Sequence, residues 1–193
     1  IFVSGVAPAA NNVIEYITMA TNGNSLDFGD TTTSDGSPNG ISSNTTRAIR
    51  FTADYSTTTA RIDYITIASL GDAVDFGDQN VDGFNGSGVC ASPTRAVFAG
   101  GYTPTLLNNI EYITIASTGD ATDFGDLSDT ASHNPGALST GIRGYIGGGG
   151  ISPSPSLVGL QAVTIATSGN SITFGDLLIS GGDGPAGISD GHG

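Results

Sequence analysis

Acidic residues recur at three-residue intervals in this chain, and such runs can supply oxygen ligands to a cation. Two runs of three aspartates are Asp72, Asp75, Asp78 and Asp120, Asp123, Asp126. Two related runs are Asn24, Asp27, Asp30 and Asn170, Thr173, Asp176. Carboxylates gathered on a turn are ligands that Ca²⁺ accepts. Because only the last aspartate is kept in all four runs, we favour hydrogen bonding at a turn or strand end, with calcium as the alternative.

The last aspartate of each run closes a Phe-Gly-Asp triplet, and the four triplets mark an internal repeat. Their phenylalanines are Phe28, Phe76, Phe124 and Phe174, so the steps are 48, 48 and 50 residues. Their aspartates are Asp30, Asp78, Asp126 and Asp176. A second marker has the same period, since Arg47, Arg95 and Arg143 each follow a triplet phenylalanine by 19 residues. Self-similarity with such a period is typical of solenoids, propellers and repeat arrays.

The chain is cut within a repeat. Counting 19 residues from Phe174 reaches Gly193, the last residue, and two repeats of 48 place Ile1 at the position of Val97. We therefore divide the single domain, residues 1–193, into units of roughly 31–78, 79–126 and 127–176, with 184–193 and 1–30 together forming the remaining unit. Because the chain begins with Ile rather than Met, we expect a processed product or part of a longer protein.

Each unit is predicted to contain four β-strands. The strands read in and after the third copy are 95–101, 110–117, a short strand that ends at 124–126, and a strand around 136–139. Gly and Asp at the intervening tips suit tight hairpin turns, and no sustained helical period is present. Strand 110–117 carries bulky apolar side chains on both faces. Both faces should therefore be covered, as when a sheet lies between two like sheets.

Two architectures cover both faces of every sheet, namely an open stack and a closed ring of blades. An open stack needs polar caps at its ends, and neither terminus resembles a cap. The segment 184–193 could supply the strand that is missing before Ile1. The sequence therefore predicts an all-β fold, a four-bladed β-propeller closed by pairing of the N- and C-terminal strands.

Composition and charge argue against several classes of partner. Only 12% of the residues are charged, the formal net charge is −13, and the chain has no lysine. Such a chain is poorly suited to phosphate backbones, and an anionic membrane would repel it. No apolar run approaches the roughly 20 residues of a membrane-spanning helix. We therefore expect no nucleic-acid partner and no membrane insertion, and we expect the single cysteine, Cys90, to be a small buried apolar side chain.

The residue types that commonly carry catalysis give little support for an enzyme. His133 and His192 lie outside the repeated positions. The glycine run 147–150 is followed by Ile-Ser-Pro-Ser-Pro, which cannot open the helix that a phosphate-binding loop requires. We therefore predict no catalytic residues, no cofactor and no metal, with calcium as the alternative noted above. A glycosidase with paired carboxylates is the enzymatic alternative, since acids are plentiful.

The repeated charged and aromatic side chains are assigned roles in packing. Each repeated arginine is expected to pair with a carboxylate or carbonyl group of a neighbouring blade, because Arg presents a planar fork of donors. The candidates to line a central channel are Glu15, Asp63, Glu111 and their counterpart Gln161. The tyrosines expected to fill the core are Tyr16, Tyr64 and Tyr112, with Ala162 in their place in the fourth unit.

Two segments that differ between repeats are the candidate binding loops. The first is 102–109, which begins Tyr102-Thr103-Pro104, and the second is 151–158, which begins Ile151-Ser152-Pro153. Segment 79–93 also differs from its counterparts. Loops that vary on a constant scaffold commonly carry binding, so these segments are the predicted contact surface.

The repeats resemble two known groups of sequences. The glycine pairs at 100–101 and 148–149, the IEYITIAS strand and an aromatic residue near the end of each unit resemble Kelch-type propeller repeats, with Phe in place of the usual Trp. The segments IEYITIASTGDATDFGDL and TRAVFAGG are more closely similar to repeats in predicted structural proteins of marine tailed phages. That resemblance implies a component of the virion tail or fibre that contacts other virion proteins. We also expect several copies of the chain to form a homo-oligomer.

Three functions fit these observations. The first is a non-enzymatic virion protein whose variable loops attach to a host-surface glycan or protein. The second is a capsid or tube decoration protein that assembles without binding a receptor. The third is a cellular or secreted adhesion propeller. The differences between the loops favour surface display. The resemblance to phage proteins then implies the first function and a location in the virion.

Overall fold

The computed structural model of the chain describes residues 1–3, 11–34, 38–53, 60–81, 86–103, 105–128, 133–150, 158–179 and 186–188. These residues form β-strands joined by turns, with no helix among them, which confirms the predicted all-β class. In particular, the described ranges hold no helix long and apolar enough to cross a membrane.

Four antiparallel sheets follow one another along the chain. Sheet 1 consists of β1 (Phe2–Val3), β2 (Val13–Tyr16) and β3 (Leu26–Asp30). Sheet 2 consists of β4 (Pro38–Ser43), β5 (Arg47–Ala53), β6 (Ala60–Thr66) and β7 (Val74–Asp78). Sheet 3 begins with β8 (Gly88–Ala91) and β9 (Arg95–Ala99) and, after a small hairpin of β10 (Tyr102–Thr103) and β11 (Thr105–Leu106), is completed by β12 (Asn109–Thr114) and β13 (Thr122–Asp126). Sheet 4 consists of β14 (Gly136–Ser139), β15 (Arg143–Gly147), β16 (Gly159–Thr164) and β17 (Ile172–Asp176).

Sheets 2, 3 and 4 share one strand order, with the strand before the repeated arginine at one edge and the Phe-Gly-Asp strand at the other. Sheet 1 has only three strands in the described part of the chain, and β1 lies at the edge where a fourth would pair. The prediction of four strands per unit is therefore correct for three units. Of the segment 184–193, residues 186–188 are described and belong to no strand, and the others lie outside the described ranges. Pairing of the chain ends stays a prediction.

A β-bulge explains why Phe, Gly and Asp recur together. In sheet 3, Ile110 pairs with Gly125 and the next residue, Glu111, pairs with Asp123, so that Phe124 is the extra residue. The same shift occurs at the same repeat position in the other three sheets. A bulge bends its strand and re-aims a side chain. This bulge places Phe124 in the core that sheet 3 shares with sheet 4.

Buried apolar side chains lie between successive sheets. Sheets 2 and 3 share a core in which the ring centroids of Phe51 and Phe98 are 4.4 Å apart. Further cores lie between sheets 1 and 2 and between sheets 3 and 4. Strand β8 lies between β4 and β14, and the Ala91 amide donates to Ser139 Oγ at 3.3 Å. Sheets 2 and 3 are thus covered on both faces by neighbouring sheets. Within the described residues, no strand of sheet 4 pairs with a strand of sheet 1.

Sheet 4 carries its tyrosine on a different strand from sheets 2 and 3. The cross-strand pairs at this position are Ile49 with Tyr64, Val97 with Tyr112, and Tyr145 with Ala162. Each tyrosine meets the triplet phenylalanine of its own sheet edge to face, with centroids 5.9, 5.9 and 4.9 Å apart in sheets 2, 3 and 4. The aromatic contact is therefore kept in sheet 4 by exchanging the two members of a cross-strand pair.

We expect Gly144→Ala to destabilise the fold by about 1–3 kcal/mol through overpacking. Gly144 of β15 lies against β8, and a Cβ atom there would contact Cys90 Sγ. The counterparts in sheets 2 and 3 are Ala48 and Ala96. Urea denaturation should show that Cys90→Ala in the same chain recovers part of the loss, because it removes the sulfur. An equal cost of Gly144→Ala with and without Cys90 would contradict this account.

Candidate functional site

The repeated contact between successive sheets, which we call the seam, is the most regular feature of the structure. In each seam the carbonyl oxygen of the triplet phenylalanine accepts a hydrogen bond from a turn glycine of the next sheet. The distances are 2.9 Å for Gly71 N to Phe28 O, 2.7 Å for Gly119 N to Phe76 O and 2.6 Å for Gly169 N to Phe124 O. The carbonyl oxygens of Asp30, Asp78 and Asp126 accept in the same way from Ala73, Ala121 and Ser171. The chain thus makes one seam three times.

A side chain of the same turn adds a further bond to each seam. The amides of Asp30, Asp78 and Asp126 donate to Oδ1 of Asp72, Asp120 and Asn170 respectively, at 3.0 Å in every case. Only an acceptor is needed at this position, and Asp and Asn both supply one. The first member of each run in these seams therefore accepts a hydrogen bond from the strand end of the preceding sheet. Among the described residues, no group of three or more His, Cys, Asp or Glu side chains is arranged to hold a metal ion.

Glycine is required at the centre of the triplet because two backbones approach each other there. Gly77 has a φ of +149°, and a Cβ atom on it would lie 2.5 Å from backbone atoms of Gly119. Gly29 and Gly125 face the turn glycines of their next sheets in the same way. Within the triplet, the phenylalanine side chain enters the core, the glycine admits the next sheet, and the aspartate backbone carries hydrogen bonds.

The fourth triplet makes no seam. Phe174 is 56% exposed, whereas Phe28, Phe76 and Phe124 are 5%, 3% and 2% exposed. A Cβ atom added to Gly175 would meet no atom within 4 Å. Three of the four Phe-Gly-Asp triplets therefore lie in seams. The fourth lies on the edge strand of sheet 4 and contacts no described turn.

Two of the repeated arginines extend the seams. Arg47 donates from Nη1 to Ile115 O of the next sheet at 2.8 Å and lies 4.4 Å above the ring centroid of Tyr64. Arg95 donates to Ile165 O at 3.2 Å and lies 4.3 Å above the ring centroid of Tyr112. Each arginine thus combines a cation–π contact within its own sheet with a carbonyl acceptor in the neighbouring sheet.

Arg143 has a different environment. Its side chain is exposed, and Ala162 stands where the other sheets have a tyrosine. The two residues line a cleft of about 320 Å³ that extends to Asn170. The corresponding cleft in sheet 2, where Tyr64 is present, is about 200 Å³. The cleft in sheet 4 thus has Ala162 where the cleft in sheet 2 has the ring of Tyr64, and it lies on the face where Phe174 is exposed.

The acids on the central strands of sheets 2 and 3 are buried in the seams rather than exposed in a channel. Asp63 is 0% exposed and Glu111 is 1% exposed. Asp63 accepts a hydrogen bond at 2.8 Å from Thr32 Oγ1, which lies in the connection from sheet 1 to sheet 2, and pairs with Arg50 Nη1 at 3.0 Å. Glu111 accepts a hydrogen bond from the amide of Asn80 at 3.0 Å. These carboxylates therefore tie each sheet to the chain that precedes it.

The charge at this position differs between sheets. Gln161 accepts a hydrogen bond from the Ser128 amide at 2.8 Å and does so as a neutral group. Burial raises the pKa of Glu111, and the carboxylate of Asp123 on the paired strand raises it further. Burial also raises the pKa of Asp63, since desolvation outweighs its ion pair and hydrogen bonds. Both carboxyl groups are thus held where their charged forms are disfavoured.

The segments that differ between repeats join strands at one end of the sheets, which we call the variable end. The connections 54–59, 100–108 and 148–158 join the same two strands in sheets 2, 3 and 4 and contain 6, 9 and 11 residues. At the opposite end, the connections 44–46, 92–94 and 140–142 each contain three residues. Those at 67–73, 115–121 and 165–171 each contain seven. In sheets 2, 3 and 4, the connections therefore differ in length at one end only.

Tyr102 of the first candidate loop and Gly150, next to the second in sequence, both contact His133 at the variable end. Tyr102 begins β10, and its ring meets the ring of His133 edge to face, with centroids 5.8 Å apart. The amide of Gly150 donates to His133 O at 2.9 Å. Sequence reasoning missed His133 as a neighbour of the loops, because it lies outside the repeated positions. Four further candidate loop residues, Pro104, Ile151, Ser152 and Pro153, lie outside the described ranges.

One catalytic motif occurs in the sequence near its end. Residues 187–191 read Gly-Ile-Ser-Asp-Gly, which has the spacing of a nucleophile elbow. That motif requires a strand before the serine and a helix after it. Gly187 and Ile188 belong to no strand, and Ser189 and the residues after it lie outside the described ranges. The letters alone therefore assign no catalytic role.

No family model matches the chain, and no curated protein matches it.

We expect Gly77→Ala to destabilise the fold by about 2 kcal/mol or more beyond Gly71→Ala, because only the former places a Cβ against a neighbouring backbone. Both glycines have a φ of +149°, so both substitutions carry a similar conformational cost of about 1–3 kcal/mol. A Cβ on Gly71 would meet nothing within 4 Å. Chemical denaturation of the two variants compares them directly. Equal costs would show that the close approach at the seam is not limiting.

We expect Glu111→Gln to stabilise the protein at neutral pH, because Gln keeps the acceptor for Asn80, as Gln161 does for Ser128, without a buried charge. A carboxyl group with a raised pKa binds more protons in the folded state, so its contribution to stability falls as pH rises from its ordinary pKa through its raised pKa. The advantage of the variant should therefore grow across that range and then level off. Melting temperatures at several pH values measure it.

The matched variant is Asp63→Asn, which should destabilise the protein at neutral pH. It leaves Arg50, itself 4% exposed, without its carboxylate partner. Removing one member of a buried ion pair typically costs about 3–5 kcal/mol. Stabilisation by both amides, or by neither, would contradict the distinction between the two sites.

Proposed function

We propose that the protein is a non-enzymatic structural component of a virion, in the tail or fibre, that presents variable loops for attachment to the host surface. Its sheets serve as a fixed scaffold, and the loops at the variable end form the contact surface. The observation that carries the proposal is the confinement of length differences to that end. The connections at the other end of sheets 2, 3 and 4 have equal lengths. This supports one end that maintains the scaffold and one end that contacts a ligand.

The rigidity of the scaffold supports binding through the loops. Three seams with the same hydrogen bonds hold successive sheets in one relation to each other. A loop on a rigid support loses less conformational entropy on binding than a loop that moves with its scaffold. The contact between Tyr102 and His133 joins the variable ends of sheets 3 and 4 into one surface. A weak ligand contact at such a surface gains avidity when several copies act together, which suits a homo-oligomer.

We also propose that the sheets are the blades of a four-bladed propeller closed by the two chain ends. The edge strands β4, β8 and β14 lie side by side in chain order, as strands around a central axis would. Residues 186–188 stand 50 positions after 136–138, the start of β14. A Cβ atom on Gly187 would lie 2.6 Å from Ala137 O, so this segment is close to β14. That position suits a strand next in line after β14.

The ligand class that fits is a neutral or cationic surface group, such as a host glycan or protein. The net charge of −13 disfavours nucleic acid and other polyanions. The resemblance of the repeats to structural proteins of marine tailed phages supports the virion setting and the assembly with other virion proteins.

We expect replacement of 102–109 and 151–158 by short Gly-Ser connections to abolish attachment to host cells while leaving the fold intact. Within these bounds Leu107, which packs against the core of sheets 2 and 3, and Asn109, which pairs with Asp126 in β12, are kept. The seam hydrogen bonds come from the triplets and the turns, so the replacement removes the contact surface and leaves the seams. Binding of purified protein to host cells measures attachment, and circular dichroism with thermal melting measures the fold.

The control replaces one constant connection, 92–94, which should leave attachment unchanged in any variant that folds. Attachment that survives loss of both loops would favour a decoration role in the capsid or tube. Cleavage of a host polysaccharide by the purified protein would contradict the non-enzymatic assignment.

A further inference from the structure

The two ends of the sheet series carry opposite halves of a seam that is not made. In sheets 2, 3 and 4 the residues of the turn receive the triplet of the preceding sheet. The turn of sheet 1, residues 22–25, receives no triplet, and the triplet of sheet 4, 174–176, meets no turn. Both halves consist of described residues.

The hydrogen-bonding groups of these two halves match those of the three seams. Gly23 stands at the position of the donating glycine, and Ser25 at the position filled by Ser171 in sheet 4. Asn24 supplies the same Oδ1 acceptor as Asn170. In the opposite half, the Phe174 and Asp176 carbonyl oxygens and the Asp176 amide are the counterparts of groups already used three times. No residue type in either half is incompatible with a fourth seam.

The apolar side chains of the two halves are also exposed in a matching way. Met19 is 95% exposed, whereas its counterparts Ile115 and Ile165 are 0% exposed and Ile67 is half-buried. Ile115 packs into the core that contains the triplet phenylalanine and tyrosine of the preceding sheet. For Met19 the preceding sheet in the repeat series is sheet 4, where Phe174 is exposed.

Two substitutions within the repeat complement each other across this fourth contact. Sheet 4 has Ala162 in place of tyrosine and a cleft of about 320 Å³ beside it. Sheet 1 has Met19 where the other sheets have Ile67, Ile115 and Ile165. A methionine side chain is longer and more flexible than isoleucine and fills irregular space. The longer side chain therefore occurs in the one sheet that would face the larger cleft.

We infer that the occupant of the cleft beside Arg143 is Met19 of the same chain, in a fourth seam between the 174–176 triplet and the 22–25 turn. In that seam Gly23 N donates to Phe174 O, Ser25 N donates to Asp176 O, and Asp176 N donates to Asn24 Oδ1. Arg143 then donates to Met19 O, as Arg47 donates to Ile115 O. The inference rests on the proposed four-bladed scaffold and names the contacts that close it.

Thiol labelling of Met19→Cys in the purified full chain tests this contact. The natural Cys90 is 2% exposed, and burial raises its pKa to about 12, so it contributes little background. The matched control is Leu26→Cys in the same sheet. Leu26 is 54% exposed, and its counterpart Val74 remains 52% exposed although sheet 2 is covered on both faces. Closure of the seam should therefore protect position 19 and leave position 26 reactive.

We expect the Met19→Cys thiol to react at least about tenfold more slowly than the Leu26→Cys thiol in samples shown by light scattering to be monomeric. Equal rates would overturn the inference. Protection that appears only at concentrations where dimers form would also overturn it, because a second copy would then fill the cleft. As a second measurement, Met19→Asp should lower the melting temperature and Leu26→Asp should not.

These outcomes separate the fourth seam from the attachment proposal. Labelling and melting of purified protein report on the seam alone, whereas binding to host cells reports on the loops. A protected thiol in a protein that does not attach would leave the seam standing and contradict the function. A reactive thiol in a protein that attaches through its loops would do the reverse.

Discussion

The close approach of two backbones at each seam is the constraint on which the rest of the structure depends. A carbonyl oxygen and an amide of different sheets come within 2.6–2.9 Å of each other, and this is possible because glycines stand on both sides. Once the backbones are joined, the triplet phenylalanine lies against the next core, and the arginine fork reaches the next carbonyl oxygen. Asp63 and Glu111 are buried beside the same contacts, where each accepts a hydrogen bond from the connection that leads in from the preceding sheet.

The all-β class and the strand order were predictable from sequence because they repeat. A strand or turn signal that is ambiguous in one copy becomes clear when it recurs at a fixed period. The burial of each copy was not predictable in this way. Phe174 has the same triplet as Phe124, but burial depends on the sheet that lies against it and not on its own neighbours in sequence. Sheet 1 differs from the other sheets for a related reason, because no strand of the described residues pairs beside β1.

The candidate site was predictable only where one residue acts with residues of its own repeat. The acceptor at Asp72, Asp120 and Asn170 was visible as an Asp or Asn position, but its partner lies 42 or 44 residues away. Comparison of the repeats position by position presents Ala162 as the loss of a tyrosine. The strand register shows that Tyr145 opposite it replaces the ring. Such an exchange changes two positions at once, so neither position alone reveals it.

The sequence separation of the seam partners has a consequence for how this chain can change over generations. It is 42 residues in the first two seams and 44 in the third, while the amide-to-Oδ1 distance is 3.0 Å in all three. The two additional residues fall in the connection 148–158, beyond the reach of the seam bonds. Codons can therefore be gained or lost in that connection without altering the geometry between sheets. If the proposed attachment function holds, selection on recognition and selection on folding then act on separate stretches of one gene.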